Sequence, residues 1–152
     1  MLFRSRGVDI NCRNADKQTP LDAAADKGNL DVVRLLIEWG AEVDSLDKWG
    51  WTPLHSASQS GHVEVSRVLL DHGANVNARV LNHSTPLDLS ARGGHLEVVK
   101  LLLERGADIQ ATNEMGETPY QVSLQKGFRA IADLIREHDS DRERFDEILL
   151  SF

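Results

Sequence analysis

The sequence predicts an all-α repeat solenoid: helix-turn-helix units stacked in one row, each carrying a projecting, β-hairpin-like loop. Three observations predict it. The stretch Gly28 to Ala41, GNLDVVRLLIEWGA, returns as GHVEVSRVLLDHGA from Gly61 and as GHLEVVKLLLERGA from Gly94. A Thr-Pro pair keeps the same 33-residue step at Thr19-Pro20, Thr52-Pro53, Thr85-Pro86 and Thr118-Pro119. No insertion breaks the period. A step held through four cycles means that one supersecondary unit is stacked on copies of itself.

Each unit specifies two short antiparallel helices and a loop. In the unit 45–77, the Thr52 hydroxyl can cap a helix whose first position is Pro53, where a missing N–H costs nothing. Gly61 arrives eight residues later, so this helix is short. Small residues Ala57 and Ser58 in its middle allow neighbouring helices to approach closely. The second helix spans about His62 to His72, with Val65, Val68 and Leu69 at helical spacing on its apolar side. Gly73 then stands where a left-handed C-cap belongs. Asn75-Val76-Asn77 leads into the loop before the next Thr-Pro.

This pattern resembles the ankyrin repeat family. Its T-P-L-H-x-A signature stands complete as Thr52-Pro53-Leu54-His55-Ser56-Ala57. The other copies read TPLDAA, TPLDLS and TPYQVS, departing at the histidine. In the family that residue helps tie the loop to the helix by hydrogen bonding; Asp22, Asp88 and Gln121 are expected to do part of this. The resemblance runs from about Gly7 to His138. It divides the chain into a partial repeat (1–11, a second-helix remnant), repeats at 12–44, 45–77 and 78–110, a capping fourth repeat at 111–140, and an amphipathic C-terminal helix at 141–152.

Stacking predicts two apolar columns, Leu35/Val68/Leu101/Leu134 and Leu36/Leu69/Leu102/Ile135. The fourth unit drifts: Leu124 replaces a small residue, Arg136 an apolar one, and no Gly-Ala follows Ile135. Beyond it, Phe145, Ile148, Leu149 and Phe152 fall at i, i+3, i+4 and i+7, which predicts a further helix closing the stack, or else docking a partner. At the other end Leu2 and Phe3 start partway into a second helix, leaving an uncapped N-terminal end open to self-association.

Composition narrows the function classes. The net charge of −7 argues against non-specific nucleic-acid binding, which needs a basic surface. No apolar run reaches the roughly 20 residues of a membrane-spanning helix, so no membrane insertion is expected. The N-terminus lacks a signal-peptide core and Cys12 has no cysteine to pair with, pointing to an intracellular protein, cytoplasmic or nuclear. Of the six histidines, His55, His62 and His95 belong to the repeat pattern and His72 precedes a C-cap glycine, and no metal-ligand spacing appears. No phosphate loop or nucleophile elbow appears. Glu64 and Glu97 recur as solvated helix positions would. No catalytic, cofactor or metal residue is therefore assigned, and an enzyme is not expected.

Function is expected where the repeat leaves residues free. The resemblance implies that the loop tips and the ends of the first helices line a concave groove for a protein or peptide. The candidates are Asp16 and Gln18 on the first tip; Lys48, Trp49 and Trp51 on the second; Leu81, Asn82 and Ser84 on the third; and Glu114, Met115 and Glu117 on the fourth. The helix ends add Gln59, Arg92 and Gln125, with Asp26 beside them, and Leu46 and Arg79 lie at the loop base. Trp49 and Trp51 flank Gly50 and have little core available, so they are either binding anchors or rings folded onto the neighbouring loop. Lys17 and His83 take the place of Gly50 and Gly116, which requires a left-handed residue or a reshaped turn. The third tip also lacks the Asn or Asp of the others and is expected to be remodelled. The leading expectation is a non-enzymatic protein-interaction module. The alternative is a structural or targeting segment of a longer multidomain protein, or an engineered repeat scaffold, making its contacts through the stack ends. The second and third repeats share only TPL, GH, EV, LL and GA, a divergence that looks natural rather than consensus-built.

Overall fold

The computed structural model describes residues 9–152, in which eight helices and no strand are present. An inner row holds α1 (Pro20–Lys27), α3 (Pro53–Ser60), α5 (Pro86–Gly93) and α7 (Pro119–Gln125). An outer row holds α2 (Leu30–Glu38), α4 (Val63–Asp71), α6 (Leu96–Glu104) and α8 (Arg129–Leu150). Each inner helix packs on the next inner helix and on its own outer partner. Leu2, Phe3 and the expected open N-terminal end lie outside the described residues.

Every inner helix starts the same way. Thr19, Thr52, Thr85 and Thr118 sit in extended backbone, and each hydroxyl accepts the amide N–H three residues on. Asp22, His55 and Gln121 return the bond to the threonine amide, completing a capping box. Asp88 does not. It is buried, accepts from Asn113 Nδ2 at 3.4 Å, and lies 3.6 Å from the Arg92 guanidinium.

At Gly61 the backbone turns left-handed (φ +80) and the next unit presses close. A Cβ there would lie 2.5 Å from His95 Nδ1. His95 in turn donates from Nε2 to the Gln59 carbonyl at 2.7 Å, and His62 does the same to the Asp26 carbonyl at 2.9 Å. Side-chain oxygens add a second seam. Asn11, Asp44 and Asn77 each accept the amide of the residue 31 positions later, at Glu42, Asn75 and Asp108.

The core follows the stacking argument in one column and departs from it in the other. Leu36, Leu69, Leu102 and Ile135 are all buried. Val68 and Leu101 are buried too, but Leu35 is 41% exposed and Leu134 only half-buried. Among the described residues α2 has an outer-row neighbour on one side only, which leaves Leu35 at the edge of the described outer row.

The expected separate closing helix at 141–152 is corrected. It is the second half of α8, a single 22-residue helix. The other outer helices stop where Gly40, Gly73 and Gly106 turn left-handed. No glycine or proline lies between Phe128 and Phe152, so nothing halts the helix. It runs past the stack instead of closing it, leaving Phe145, Leu149 and Phe152 at 59%, 55% and 100% exposure.

Candidate functional site: the loop tips and the groove beneath them

The four loop tips share one backbone design. The amides of Asn14, Asp47, Val80 and Asn113 each donate to the carbonyl four residues on, at 3.0 Å. In three tips the first side chain also holds the turn from inside. Asn14, Asp47 and Asn113 accept the amides two and four residues further along. Successive tips are then joined by single backbone rungs, Lys48 N–H to Asp16 O, Leu81 N–H to Trp49 O and Glu114 N–H to Asn82 O. The projecting loops are thus turns linked side by side, without a strand ladder.

The third tip keeps this path although Val80 cannot cap it, so the expected remodelling does not occur. Asn82 supplies one bond, accepting the Ser84 amide at 3.2 Å. His83 adopts φ +65 and Lys17 φ +60, so both take the left-handed place of Gly50 and Gly116. The closure and the rungs set the backbone there, and the side chain bears the strain.

Trp49, Leu81 and Met115 project at the tips, 47%, 73% and 78% exposed. Trp51 is half-buried, its ring 6.1 Å from that of His55. Between the second and third tips and the inner helices lies a groove of about 470 Å³. Its apolar wall is Trp49, Trp51, Val80 and Leu81, and its polar lining is Gln18, Asp26, Asp47, Ser56 and Asn82. Lys48 stands over the Trp49 ring, 4.2 Å from its centroid, and pairs with Asp16.

Of the candidates, the structure brings Gln18, Trp49, Trp51, Leu81 and Asn82 into this one groove. Met115, Glu114, Glu117 and Gln125 belong to the last unit and lie outside it, as do exposed Gln59 and Leu46. Arg92 is turned to Asp88. Arg79 donates to the Thr112 carbonyl at 2.7 Å, as Arg13 does to Leu46 O at 3.2 Å, so it bridges successive loop bases. Ser84 is corrected: it is only 3% exposed, because its carbonyl closes the turn from below. Asp47, Ser56 and Val80 also line the groove, and sequence reasoning did not place them there. Asp47 and Ser56 lie on either side of the tryptophan-bearing tip in the sequence, whereas Val80 starts the next tip and reaches the groove through stacking.

His55 ties two units together. Its Nδ1 accepts from the Thr52 amide at 3.1 Å and the Thr52 hydroxyl at 2.8 Å, and its Nε2–H donates to the Ala78 carbonyl of the next unit at 2.9 Å. Burial pushes its pKa down to about 4. Asp22, in the same place one unit earlier, is shifted up by burial despite its bonds from Thr19, with the nearby Asp47 charge adding to the rise. Both shifts belong to buried structural joints.

Two family models match the chain: one described as ankyrin repeats (3 copies) over residues 1–80, the other as ankyrin repeats (many copies) over 69–123. The chain belongs to the ankyrin repeat family. Ankyrin repeats are generally protein–protein interaction modules and typically not enzymes. Similar curated proteins include the potassium channel KOR2 of Oryza sativa subsp. japonica, 48% identical over 44 residues, which is 29% of this chain and 6% of the channel. Serine/threonine-protein kinase 12 of Arabidopsis thaliana is 50% identical over 44 residues, 29% of this chain and 10% of the kinase. Ankyrin repeat domain-containing protein 49 of Bos taurus is 49% identical over 45 residues, 30% of this chain and 19% of that protein. The matched stretch thus spans less than a fifth of any of these three relatives. Among the described residues of this ankyrin stack, no group of three or more His, Cys, Asp or Glu could hold a metal, and no helix is long and apolar enough to cross a membrane.

Proposed function

We propose that this ankyrin stack is a non-enzymatic interaction module that holds a protein or peptide partner in the groove between its second and third loop tips. The observation that carries this reading is the convergence of Trp49, Trp51, Val80 and Leu81 on one open concave surface. Exposed aromatic and aliphatic side chains beside a groove lose water on docking, and tryptophan is enriched among residues that dominate interface energy. The tips are already fixed by their closures and rungs. A preformed surface forfeits little conformational entropy when it binds.

The test compares affinity capture by the wild-type chain and by a Trp49→Ala/Leu81→Ala variant, with thermal unfolding measured alongside. Both side chains are substantially exposed, so the variant is expected to melt like the wild type. Its partners should be lost. Partners retained at full yield would rule out the groove as the binding surface.

One observation favours the stack-end alternative. The face of α8 that buries Ile131 and Ile135 continues through Phe145 and Leu149, both largely exposed, and Phe152 lies just past the helix end, fully exposed. Under that reading Phe145→Ser/Leu149→Ser, rather than the tip variant, abolishes capture.

A further inference from the structure

Trp49, Trp51, Val80 and Leu81 form the groove's apolar wall, but two of its lining groups are carboxylates, Asp26 and Asp47, and no lysine or arginine lines it. Each carboxylate is committed through one oxygen only. Asp47 Oδ1 holds the turn through the Trp49 and Trp51 amides, both at 2.9 Å, and Asp26 Oδ1 accepts from the Ser60 hydroxyl at 3.3 Å. Among the described residues neither has a cation partner, and the second oxygen of each accepts no hydrogen bond. The Asp47 charge also reaches Asp22, where it adds to the rise in pKa that burial causes. Lys48, on the tip beside the groove, is already engaged with Asp16 and the Trp49 ring.

We infer that the groove selects a peptide segment presenting a basic side chain, lysine or arginine, next to an apolar residue. This deepens the groove reading above and rests on it. An apolar side chain entering alone would strip water from Asp26 and Asp47 and return nothing to them, a penalty that offsets the area it buries. A cation avoids that penalty by pairing with the carboxylates while its alkyl stem lies on the apolar wall. The indoles add attraction for a cation through their faces, as Trp49 already does toward Lys48. An acidic segment would be repelled.

The probe is a random dodecapeptide library displayed on phage, selected against the wild-type chain. Binders are then measured against Asp26→Asn/Asp47→Asn and against Trp49→Ala/Leu81→Ala. Asparagine at 47 keeps the turn, since Asn14 and Asn113 cap their tips identically, and unchanged melting checks this. The expected result is enrichment of Lys or Arg beside an apolar residue. Affinity should fall at least about tenfold in the double asparagine variant and weaken with added salt. Binders without a basic residue, or binders indifferent to the asparagine pair but lost in the tip variant, overturn the charge selection and leave the groove reading standing. Binders that survive the tip variant, or no enrichment at all, overturn both.

Discussion

Acidification is expected to loosen the joint between the second and third units through His55. The neutral ring uses all its capacity: Nδ1 accepts from Thr52 and Nε2–H donates to the Ala78 carbonyl. Protonation places an N–H at Nδ1 facing the Thr52 amide, also a donor, inside a site with no water access. The pKa falls from 6.5 to about 4 on folding, so the unfolded chain takes the proton first. A depressed pKa contributes stability that is present above the unfolded value and disappears as pH falls toward the folded one. At about 1.4 kcal/mol per pKa unit, about 2 kcal/mol is lost by pH 5 and about 3 kcal/mol by pH 4. Asp22 acts in the opposite sense. Its folded pKa is raised, so its contribution is present at low pH and is lost as pH rises through that value.

The two are separated by a difference measurement. Urea unfolding of the wild type and of His55→Gln is followed at pH 7 and pH 5. Glutamine caps the fourth unit through Gln121, so the variant should fold. Asp22 and every other carboxylate cancel between the two proteins. The wild-type advantage at pH 7 should shrink by about 2 kcal/mol at pH 5. An advantage of the same size at both pH values would show that folding does not depress the pKa of the His55 ring.

Two further outcomes follow from the packing. Leu69→Ala should cost roughly 2–5 kcal/mol, as truncation of a fully buried leucine does, whereas Leu35→Ala, with its side chain 41% exposed, should cost well under half as much in the same denaturant series. Equal costs would contradict the exposed edge assigned to α2. His83→Gly relieves a left-handed residue worth roughly 1–2 kcal/mol, against about 0.4–1 kcal/mol of added freedom in the unfolded chain. A small rise in melting temperature is expected, and a fall would mean that the His83 side chain makes a contact stronger than the strain it imposes.

What could be read from the sequence was whatever a local rule enforces. Thr-Pro starts each inner helix because the hydroxyl and the missing N–H both suit that position, wherever the unit sits in the stack. The Leu36 column is equally legible, since it points between rows in every unit. Leu35 shows the limit. It carries the same pattern as Val68 and Leu101, but its burial depends on a neighbour that the pattern does not mention. The continuity of α8 is legible too: the amphipathic spacing at 145–152 suggests a second element, but the absence of any stop residue between 128 and 152 argues for one helix. Asp26 and Asp47 mark a different boundary. One lies at a helix end and the other inside a turn, 21 residues apart, and each has a sufficient local explanation. Only stacking sets them on the same groove as two indoles, where their unpaired oxygens become a reason to prefer one partner chemistry over another. The repeat rules therefore predict the scaffold, and specificity depends on residues that satisfy those rules with one atom and leave another unused.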